Sequence, residues 1–180
     1  MTCIVAIAKD GVVYMGADSA GSDEDTGVIA PYVIPKVFKR NGYVIGYAGS
    51  FRFGKLLQYI FDLPQCPANV NTSEKLDEFM NKVLMQSIKK QAKELDLDKE
   101  EMDFDALIGL KGHVFEVSND WCAIEASMPY NVCGSGAKYA LGSLHTTQVW
   151  KEPTKRINVA LSAASEYDLY VAPPFNIISG

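Results

Sequence analysis

The sequence opens on an apolar run, Cys3–Ala8, that has no polar residue on either face and is rich in β-branched side chains. Because successive strand residues point to opposite faces of a sheet, a run without alternation predicts a strand covered on both sides. Asp10-Gly11 is a strong tight-turn signal, after which Val12–Ala17 forms a second predicted strand. Residues 1–20 therefore predict a β-hairpin whose opening strand lies inside a layered fold.

The rest of the chain separates into blocks of strands and blocks of helices. Val37–Lys39 and Tyr43–Ala48 flank Asn41-Gly42, which is the best two-residue hairpin signal in the chain. Beyond this hairpin, helical spacing of apolar residues alternates with further strand signals. The predicted elements there are a helix with Phe53, Leu56, Leu57, Ile60 and Phe61 on one face, a long helix that starts with a capping box of Asn71 and Glu74 and has apolar residues from Leu76 to Leu95, strands at Ala106–Leu110, His113–Val117 and Cys122–Glu125, a helix from Gly134 to about Leu144, a helix from Pro153 to about Ser165, and a strand in the closing segment Phe175–Ser179.

This order of blocks decides the predicted fold class. Segregated strands and helices are typical of helices packed on antiparallel sheet. Strands that are apolar on both faces indicate that two such sheets are stacked, with helices outside each. We therefore predict an α+β fold, a four-layer α-β-β-α sandwich, with residues 1–180 as a single domain. A different layered α+β fold is the alternative.

Composition argues against several classes of function. The formal net charge of −5 and the lack of a basic block argue against nucleic-acid binding. Four cysteines without a CxxC pair indicate a reducing compartment, and two histidines distant in sequence predict no metal site. No stretch has the length of a transmembrane helix and no signal-peptide pattern precedes the first strand, so we expect a cytoplasmic protein without membrane contact.

Thr2 stands directly before the first predicted strand, and its small size permits removal of Met1 by an aminopeptidase. A threonine hydroxyl is a weak nucleophile that needs a base. A free α-amino group, with a pKa of about 7.7–8.0, is partly neutral at physiological pH and can serve as that base. Thr2 would therefore combine a nucleophile and a base in one residue, held rigidly by the strand.

Four further residues match the needs of such a nucleophile. Asp18 ends the second strand beside the start of the first, and Lys36 precedes the third strand. A buried Lys36 would lower the pKa of the Thr2 hydroxyl, and Asp18 would keep the lysine charged and oriented. Gly49 follows a strand and offers a backbone N–H to a substrate carbonyl. Ser135 offers a hydroxyl at a helix start, where it is also a good N-cap.

The chain resembles the β-type subunits of the proteasome and the peptidase subunit of the bacterial two-component ATP-dependent protease, in the segments TCIVAI, GADSA, PKVFK, GYAGS and GSGAKYALGSL. These proteins are N-terminal-nucleophile hydrolases, and the resemblance covers most of the chain. It implies a threonine peptidase that hydrolyses peptide bonds through an acyl-enzyme on Thr2. It also implies Lys36 and Asp18 as electrostatic partners, Gly49 as the oxyanion donor and Ser135 as a supporting hydroxyl.

The same resemblance implies the other parts of the site and its surroundings. A supporting carboxylate after the last long helix maps to Asp168, with Glu166 as the competitor. Ala20, Tyr47 and Gly49 map to substrate-binding positions. No cofactor is implied, and the substrate is a peptide or an unfolded protein. The subunits are expected to form a homo-oligomeric ring, and an ATPase partner is an open question.

Tyr47 lies two residues before Gly49 and hence on the same face of its strand, which predicts a shallow, mostly apolar pocket. Small or medium apolar substrate side chains are expected there, because no acidic residue is placed nearby to attract a basic one. Asp23–Asp25 lie in a polar loop, Gly21–Gly27, whose position the sequence does not give. The alternative is that Tyr47 packs in the core.

Three alternatives for the function stay open. Cys3 is a stronger nucleophile than threonine by type, but it points to the opposite face from Thr2 and is expected in the core. A catalytically silent structural subunit of the same ring would keep the fold without the activity. An N-terminal-nucleophile amidohydrolase acting on a small amide would keep the chemistry with a different substrate.

Overall fold

The computed structural model describes residues 1–22, 29–31 and 35–180. The strands in these ranges are β1 (Ile4–Lys9), β2 (Val12–Ala17), β3 (Ala20–Ser22), β4 (Ile29–Pro31), β5 (Val37–Arg40), β6 (Tyr43–Gly49), β7 (Phe104–Leu110), β8 (His113–Ser118), β9 (Ala123–Glu125), β10 (Tyr130–Cys133) and β11 (Asn176–Ser179). The helices are α1 (Phe51–Lys55), α2 (Ser73–Phe79), α3 (Met85–Glu94), α4 (Ala137–Thr146) and α5 (Pro153–Tyr167). Two π-helical turns accompany them: Leu56–Ile60 extends α1, and Met80–Leu84 joins α2 to α3.

Two antiparallel sheets form the centre of the fold. The first sheet has the strand order β10-β1-β2-β11, and the second has the order β5-β6-β7-β8-β9. β3 and β4 pair separately as a short two-stranded sheet. Every strand pair within these sheets is antiparallel.

Two-residue turns set the register of the hairpins. Asp10-Gly11, Asn41-Gly42 and Lys111-Gly112 all have positive φ at both residues, from 50° to 84°. Turns of this kind match the right-handed twist of the flanking strands, and glycine at the second position adopts a positive φ without strain. The predicted hairpins at the first two turns and the predicted turn at the third are confirmed.

Buried apolar side chains fill the spaces between four layers. β1 illustrates the arrangement, since Ile4 and Ala6 face the second sheet, whereas Val5 and Ile7 face α4 and α5. Helices α1 to α3 cover the outer face of the second sheet. Full burial of a side chain such as Ile4 contributes about 1.5–3 kcal/mol, so packing on both faces fixes the position of β1 firmly. The predicted α+β fold, a four-layer α-β-β-α sandwich, is confirmed.

Local details differ from the sequence-based expectations. The long helix is capped by Thr72 instead of Asn71, because Thr72 is extended and its hydroxyl accepts the N–H of Lys75 at 3.3 Å. Strand β10 is not anticipated by any sequence pattern, and it forms as an edge strand beside β1. The first residues of the expected polar loop form the end of β3, and Asp23–Asp25 lie outside the described residues.

Within the described ranges, no helix is both long enough and apolar enough to cross a membrane.

Candidate active site

Thr2 lies two residues before the first residue of β1 and is 3% exposed. Its Oγ1 accepts a hydrogen bond from Lys36 Nζ at 2.6 Å and donates one to the carbonyl oxygen of Met1 at 2.5 Å. The strand that follows Thr2 is hydrogen-bonded on both sides, by β2 and by β10. The hydroxyl is therefore held at a rigid point of the fold, next to a positive charge.

Lys36 forms a buried ion pair with Asp18. The distance from Lys36 Nζ to Asp18 Oδ2 is 3.0 Å, and the two side chains are 2% and 0% exposed. The Asp18 carboxylate also accepts the N–H of Ala20 at Oδ2 and the N–H of Cys3 at Oδ1, both at 2.9 Å. Three donors thus offset the desolvation of this carboxylate, as a buried charge requires.

Burial lowers the pKa of the Lys36 ammonium below its ordinary value, while the Asp18 carboxylate acts in the opposite direction. The lysine is thus a more acidic ammonium than one on the surface, and the position of Asp18 decides by how much. The pair can hold a positive charge against the Thr2 hydroxyl, which favours the alkoxide over the alcohol.

The segment Gly134-Ser135-Gly136 holds the backbone of Thr2. Ser135 Oγ accepts the Thr2 N–H at 3.3 Å and lies 3.4 Å from the Thr2 carbonyl oxygen, to which it donates. The Gly136 N–H donates to the same carbonyl at 3.3 Å. Gly136 is the N-cap of α4, so Ser135 does not cap this helix and its hydroxyl serves Thr2 instead.

Gly134 is a site residue that the sequence patterns do not single out individually. Its φ is +90°, and a Cβ built at this position would lie 2.2 Å from the Thr2 carbonyl oxygen. Both observations require glycine. The motif Gly134-Ser135-Gly136 indicates a helix start in the sequence, but it does not indicate that the Gly134 backbone packs against the Thr2 carbonyl group.

Gly49 ends β6 on the protein surface with a φ of +86°. A Cβ there would lie 2.4 Å from the carbonyl oxygen of Asp103, which accepts the Ser50 N–H at 2.9 Å. Ser50 then caps α1 by accepting the Phe53 N–H. The turn from β6 into α1 therefore needs glycine for its own geometry, and the oxyanion role of Gly49 stays a prediction.

Of the two predicted supporting carboxylates, Asp168 lies nearer the site. It is half-buried at the C-terminal end of α5, and its charge contributes to the raised pKa of Cys3. Its Oδ1 accepts the N–H of Tyr170 at 2.9 Å, so this hydrogen bond goes neither to Thr2 nor to Ser135. The competitor Glu166 is exposed.

The Cys3 thiol is fully buried on the side of the first sheet that faces α4 and α5. Burial, together with the charges of Asp18 and Asp168, raises the pKa of Cys3 to about 12. A thiol that stays protonated at neutral pH is a poor nucleophile. Cys3 takes part in the site through its backbone N–H, which Asp18 accepts.

The two predicted substrate-binding side chains, Ala20 and Tyr47, are each 1% exposed. Ala20 contributes its backbone N–H to Asp18. Tyr47 belongs to the core between the second sheet and its helices, and a Cβ on Gly54 of α1 would lie 2.1 Å from its ring. This placement favours the core-packing alternative for Tyr47, and its substrate-binding role stays a prediction.

The buried Tyr47 hydroxyl has no hydrogen-bond partner within residues 1–22, 29–31 and 35–180. We expect Tyr47→Phe to raise the free energy of unfolding at pH 7 by about 1 kcal/mol, because it removes a desolvated hydroxyl and keeps the ring. Tyr43→Phe is the matched control, since the Tyr43 hydroxyl donates to the Pro64 carbonyl at 2.5 Å and its loss should cost about 1 kcal/mol. Urea unfolding measures both changes, and a destabilised Tyr47→Phe variant would contradict the expectation.

No group of three or more metal-ligating side chains comes together in the part of the chain that the structure describes.

No protein-family model matches the sequence, and no curated protein sequence is significantly similar to it. Solved structures are similar in fold over nearly the whole chain. BPH from Thiobacillus denitrificans in complex with epoxomicin matches with a TM-score of 0.77 at 22% identity, covering 99% of this chain and 98% of that one. Eukaryotic HslV from Trypanosoma brucei matches with a TM-score of 0.71 at 18% identity, covering 99% and 98%.

Anbu, the ancestral β-subunit from Yersinia bercovieri, matches with a TM-score of 0.69 at 17% identity, covering 99% of this chain and 81% of that one. All three neighbours are proteasome-type subunits of the N-terminal-nucleophile-hydrolase fold. The α+β sandwich described above is consistent with these neighbours. The chain therefore has the fold of the proteasome-type N-terminal-nucleophile hydrolases.

Proposed function

We propose that this chain is a threonine peptidase of the proteasome β-subunit type, which hydrolyses peptide bonds through an acyl-enzyme on Thr2 once Met1 has been removed. The observation that carries the proposal is the 2.6 Å hydrogen bond from Lys36 Nζ to Thr2 Oγ1 at a buried strand start. The likeness in fold to BPH, HslV and Anbu supports it. Residues 1–180 would act as one domain without a cofactor.

The first half of the reaction uses the amine that removal of Met1 creates. The Thr2 α-amine accepts the proton of Oγ1, and Oγ1 forms a bond to the scissile carbonyl carbon as the carbonyl electron pair moves to its oxygen. Lys36 stays charged and stabilises the negative charge that develops on Oγ1. We assign the Gly49 N–H to the new oxyanion and the Ser135 hydroxyl to the orientation of the Thr2 nitrogen.

The second half releases the products and restores the enzyme. The carbon–nitrogen bond of the tetrahedral intermediate breaks, and the leaving nitrogen takes the proton held by the Thr2 amine. An ester between Thr2 and the substrate's acyl group remains. Water, deprotonated by the same amine, attacks this ester, and the bond to Oγ1 breaks with return of the proton to the hydroxyl.

Met1 blocks this chemistry while it is attached. The Thr2 nitrogen is then an amide, which is no base, and its N–H donates to Ser135. The Met1 carbonyl oxygen also accepts the Thr2 hydroxyl and lies 3.4 Å from Lys36 Nζ. The Met1-bearing chain is therefore expected to be inactive although its site is assembled.

Two proteins that differ only in Met1 test the proposal. Cleavage of a ubiquitin fusion in vitro produces one chain that starts at Met1 and one that starts at Thr2. The Thr2 chain is expected to hydrolyse a fluorogenic peptide, and the Met1 chain is expected to show no turnover above buffer. No hydrolysis by a folded, assembled Thr2 chain across a peptide library would contradict the proposal and favour the silent ring subunit. Hydrolysis confined to small amides would favour the amidohydrolase.

The proposal includes assembly into a homo-oligomeric ring in the cytoplasm, with an ATPase partner open. Three large apolar side chains at the end of α5 and after α4 are strongly exposed, with Tyr167 at 70%, Leu169 at 80% and Val149 at 80%. Apolar surface that is exposed as a contiguous patch is typical of subunit contacts, and we propose that these side chains contribute to such a contact. Light scattering at micromolar concentration tests the assembly, and a 19.8-kDa monomer would contradict it.

A further inference from the structure

The turn that carries Asp18 is tied to the C-terminal part of the chain through one serine. Ser19 Oγ donates to the Pro174 carbonyl oxygen at 2.6 Å and accepts the side-chain amide of Asn176 at 2.8 Å. The Ser19 N–H donates to the Ala172 carbonyl oxygen at 3.2 Å. Ser19 is 2% exposed, whereas its partner Asn176 is half-buried and Pro174 is exposed.

Ser19 stands between the two residues that define the carboxylate network. Asp18 precedes it, and the N–H of Ala20 after it donates to Asp18 Oδ2 at 2.9 Å. Because the same Oδ2 accepts Lys36 Nζ at 3.0 Å, a displacement of Ser19 moves the carboxylate relative to the lysine. Because Ser19 is bonded directly to Asp18, the contacts that hold Ser19 also help to fix the distance between Asp18 and Lys36.

Asn176 connects this turn to an edge strand. It is the first residue of β11, which lies at the edge of the first sheet and pairs only with β2 among the described strands. Its Cα partner across the strands is Ala17, the residue before Asp18. The half-buried side chain of Asn176 lies at the end of β2, where its amide donates a hydrogen bond to the Ser19 hydroxyl.

We propose that Ser19 and Asn176 are positioning residues, whose hydrogen bond holds the Asp18 carboxylate against Lys36 and thereby holds Lys36 against the Thr2 hydroxyl. The hydrogen bonds of Ser19 and Asn176 are sufficient to argue that these residues position the Asp18–Lys36 pair. The catalytic consequence, a faster reaction at Thr2, rests on the proposed function.

The charged and titratable groups around Lys36 make the effect measurable. Burial lowers the pKa of Lys36, whereas the charge and the hydrogen bond of the Asp18 carboxylate act to raise it, and Cys3 would add to this only as a thiolate. The charge of the Asp168 carboxylate acts on the Cys3 thiol, whose pKa it helps to raise. Loosening the turn weakens the contribution of Asp18 while the burial remains, so the pKa of Lys36 should fall.

The test measures the pKa of Lys36 by NMR in the Met1-bearing protein labelled with ¹³C and ¹⁵N lysine, with the signal assigned from Lys36→Arg. Ser19→Ala and Asn176→Ala are each expected to lower this pKa by about 1 unit, because they loosen a close opposite charge without removing it. The pKa of Lys36 in the double variant should be no lower than in Ser19→Ala alone, because both substitutions break the same hydrogen bond. Ser179→Ala, an exposed change on the same strand, is the control and should leave the pKa unchanged.

Thermal unfolding confirms that each variant is folded before titration. If Ser19→Ala does not fold, Asn176→Ala decides the matter, because it truncates a half-buried side chain at an edge strand. An unchanged Lys36 pKa in a folded Asn176→Ala variant would overturn the proposal, and so would additive shifts from the two single substitutions.

Activity provides a separate readout. In the chain that starts at Thr2, Asn176→Ala should slow covalent modification by a peptide epoxyketone about tenfold at pH 7, as expected for a small displacement of a positioned group. If the wild-type chain does not react with the epoxyketone, the proposed function fails, yet the Lys36 titration still decides the role of Ser19 and Asn176. If the wild type reacts and the variant reacts equally fast with an unchanged Lys36 pKa, the positioning role fails alone.

Discussion

Replacing Thr2 by alanine is expected to reduce kcat for a fluorogenic peptide by on the order of 10⁴-fold or more, as removal of a nucleophile does in other hydrolases. The substitution deletes the Oγ1 atom that Lys36 contacts at 2.6 Å and leaves the Thr2 backbone bonds to Ser135 and Gly136 in place. Alanine is also small enough to permit removal of Met1. The loss should therefore appear without a loss of fold, which circular dichroism and thermal unfolding can check.

Thr146→Ala is the matched control for Thr2→Ala. The Thr146 hydroxyl is exposed and donates to the Ser143 carbonyl oxygen of its own helix at 3.0 Å, so its removal should leave turnover unchanged. Turnover that survives in Thr2→Ala would contradict the role of Thr2 and return attention to Cys3. A pH series would then distinguish the two, because a thiol with a pKa near 12 gains reactivity steeply as the pH rises.

Replacing Asp18 by alanine is expected to lower the free energy of unfolding by about 3–5 kcal/mol at pH 7, because the change leaves the buried Lys36 charge without its partner. The N–H groups of Cys3 and Ala20 lose their acceptor as well. Urea unfolding measures the change. The double variant Asp18→Ala/Lys36→Met should be more stable than Asp18→Ala alone, since it removes the unpaired charge along with the carboxylate.

The pH dependence gives this prediction a sign. Burial lowers the folded-state pKa of Lys36 below its unfolded value, so folding releases a proton from this lysine at pH values between the two. Over that window the Lys36 contribution to stability rises with pH. Without Asp18 the folded-state pKa of Lys36 falls further, so the pH range over which its contribution to stability rises becomes wider. The difference in free energy of unfolding between the wild type and Asp18→Ala should therefore decrease as the pH rises. Two results would contradict the role of the ion pair. One is a loss of less than about 1 kcal/mol in the free energy of unfolding at pH 7, and the other is a loss that increases with pH over the range in which Lys36 titrates.

The central part of the fold and of the site could be predicted because local patterns determine it. Two-residue turns with glycine set the hairpins at Asp10-Gly11 and Asn41-Gly42, and the first of these brings the end of β2 beside the start of β1. Ala17 pairs with Ile4, so Asp18 and Cys3 become neighbours by register alone. The approach of Lys36 to Asp18 and Thr2 follows from the stacking of the two sheets, which the strands with two apolar faces predict.

The remaining features depend on contacts that no local pattern contains. Strand alternation predicts that Tyr47 lies on the same face of its strand as Tyr43 and Ile45. It does not predict which of the two faces of the strand packs against the helices. Strand β10 is a short segment whose partner, β1, is distant in sequence. The Ser19–Asn176 contact joins residues on opposite ends of the chain, and serine after an aspartate signals only a turn.

The mass of the mature protein after reaction with a peptide epoxyketone tests most directly whether Thr2 is the nucleophile. We predict one adduct per chain, located by peptide mapping on the fragment that begins with Thr2, and absent from the Met1-bearing chain and from Lys36→Ala. The first control lacks the free amine, and the second lacks the positive charge beside the hydroxyl. Because Lys36→Ala leaves the buried Asp18 carboxylate without its partner, thermal unfolding must show that this variant is folded before its mass is compared. An adduct on Cys3, or no adduct on a folded chain that starts at Thr2, would contradict the assignment.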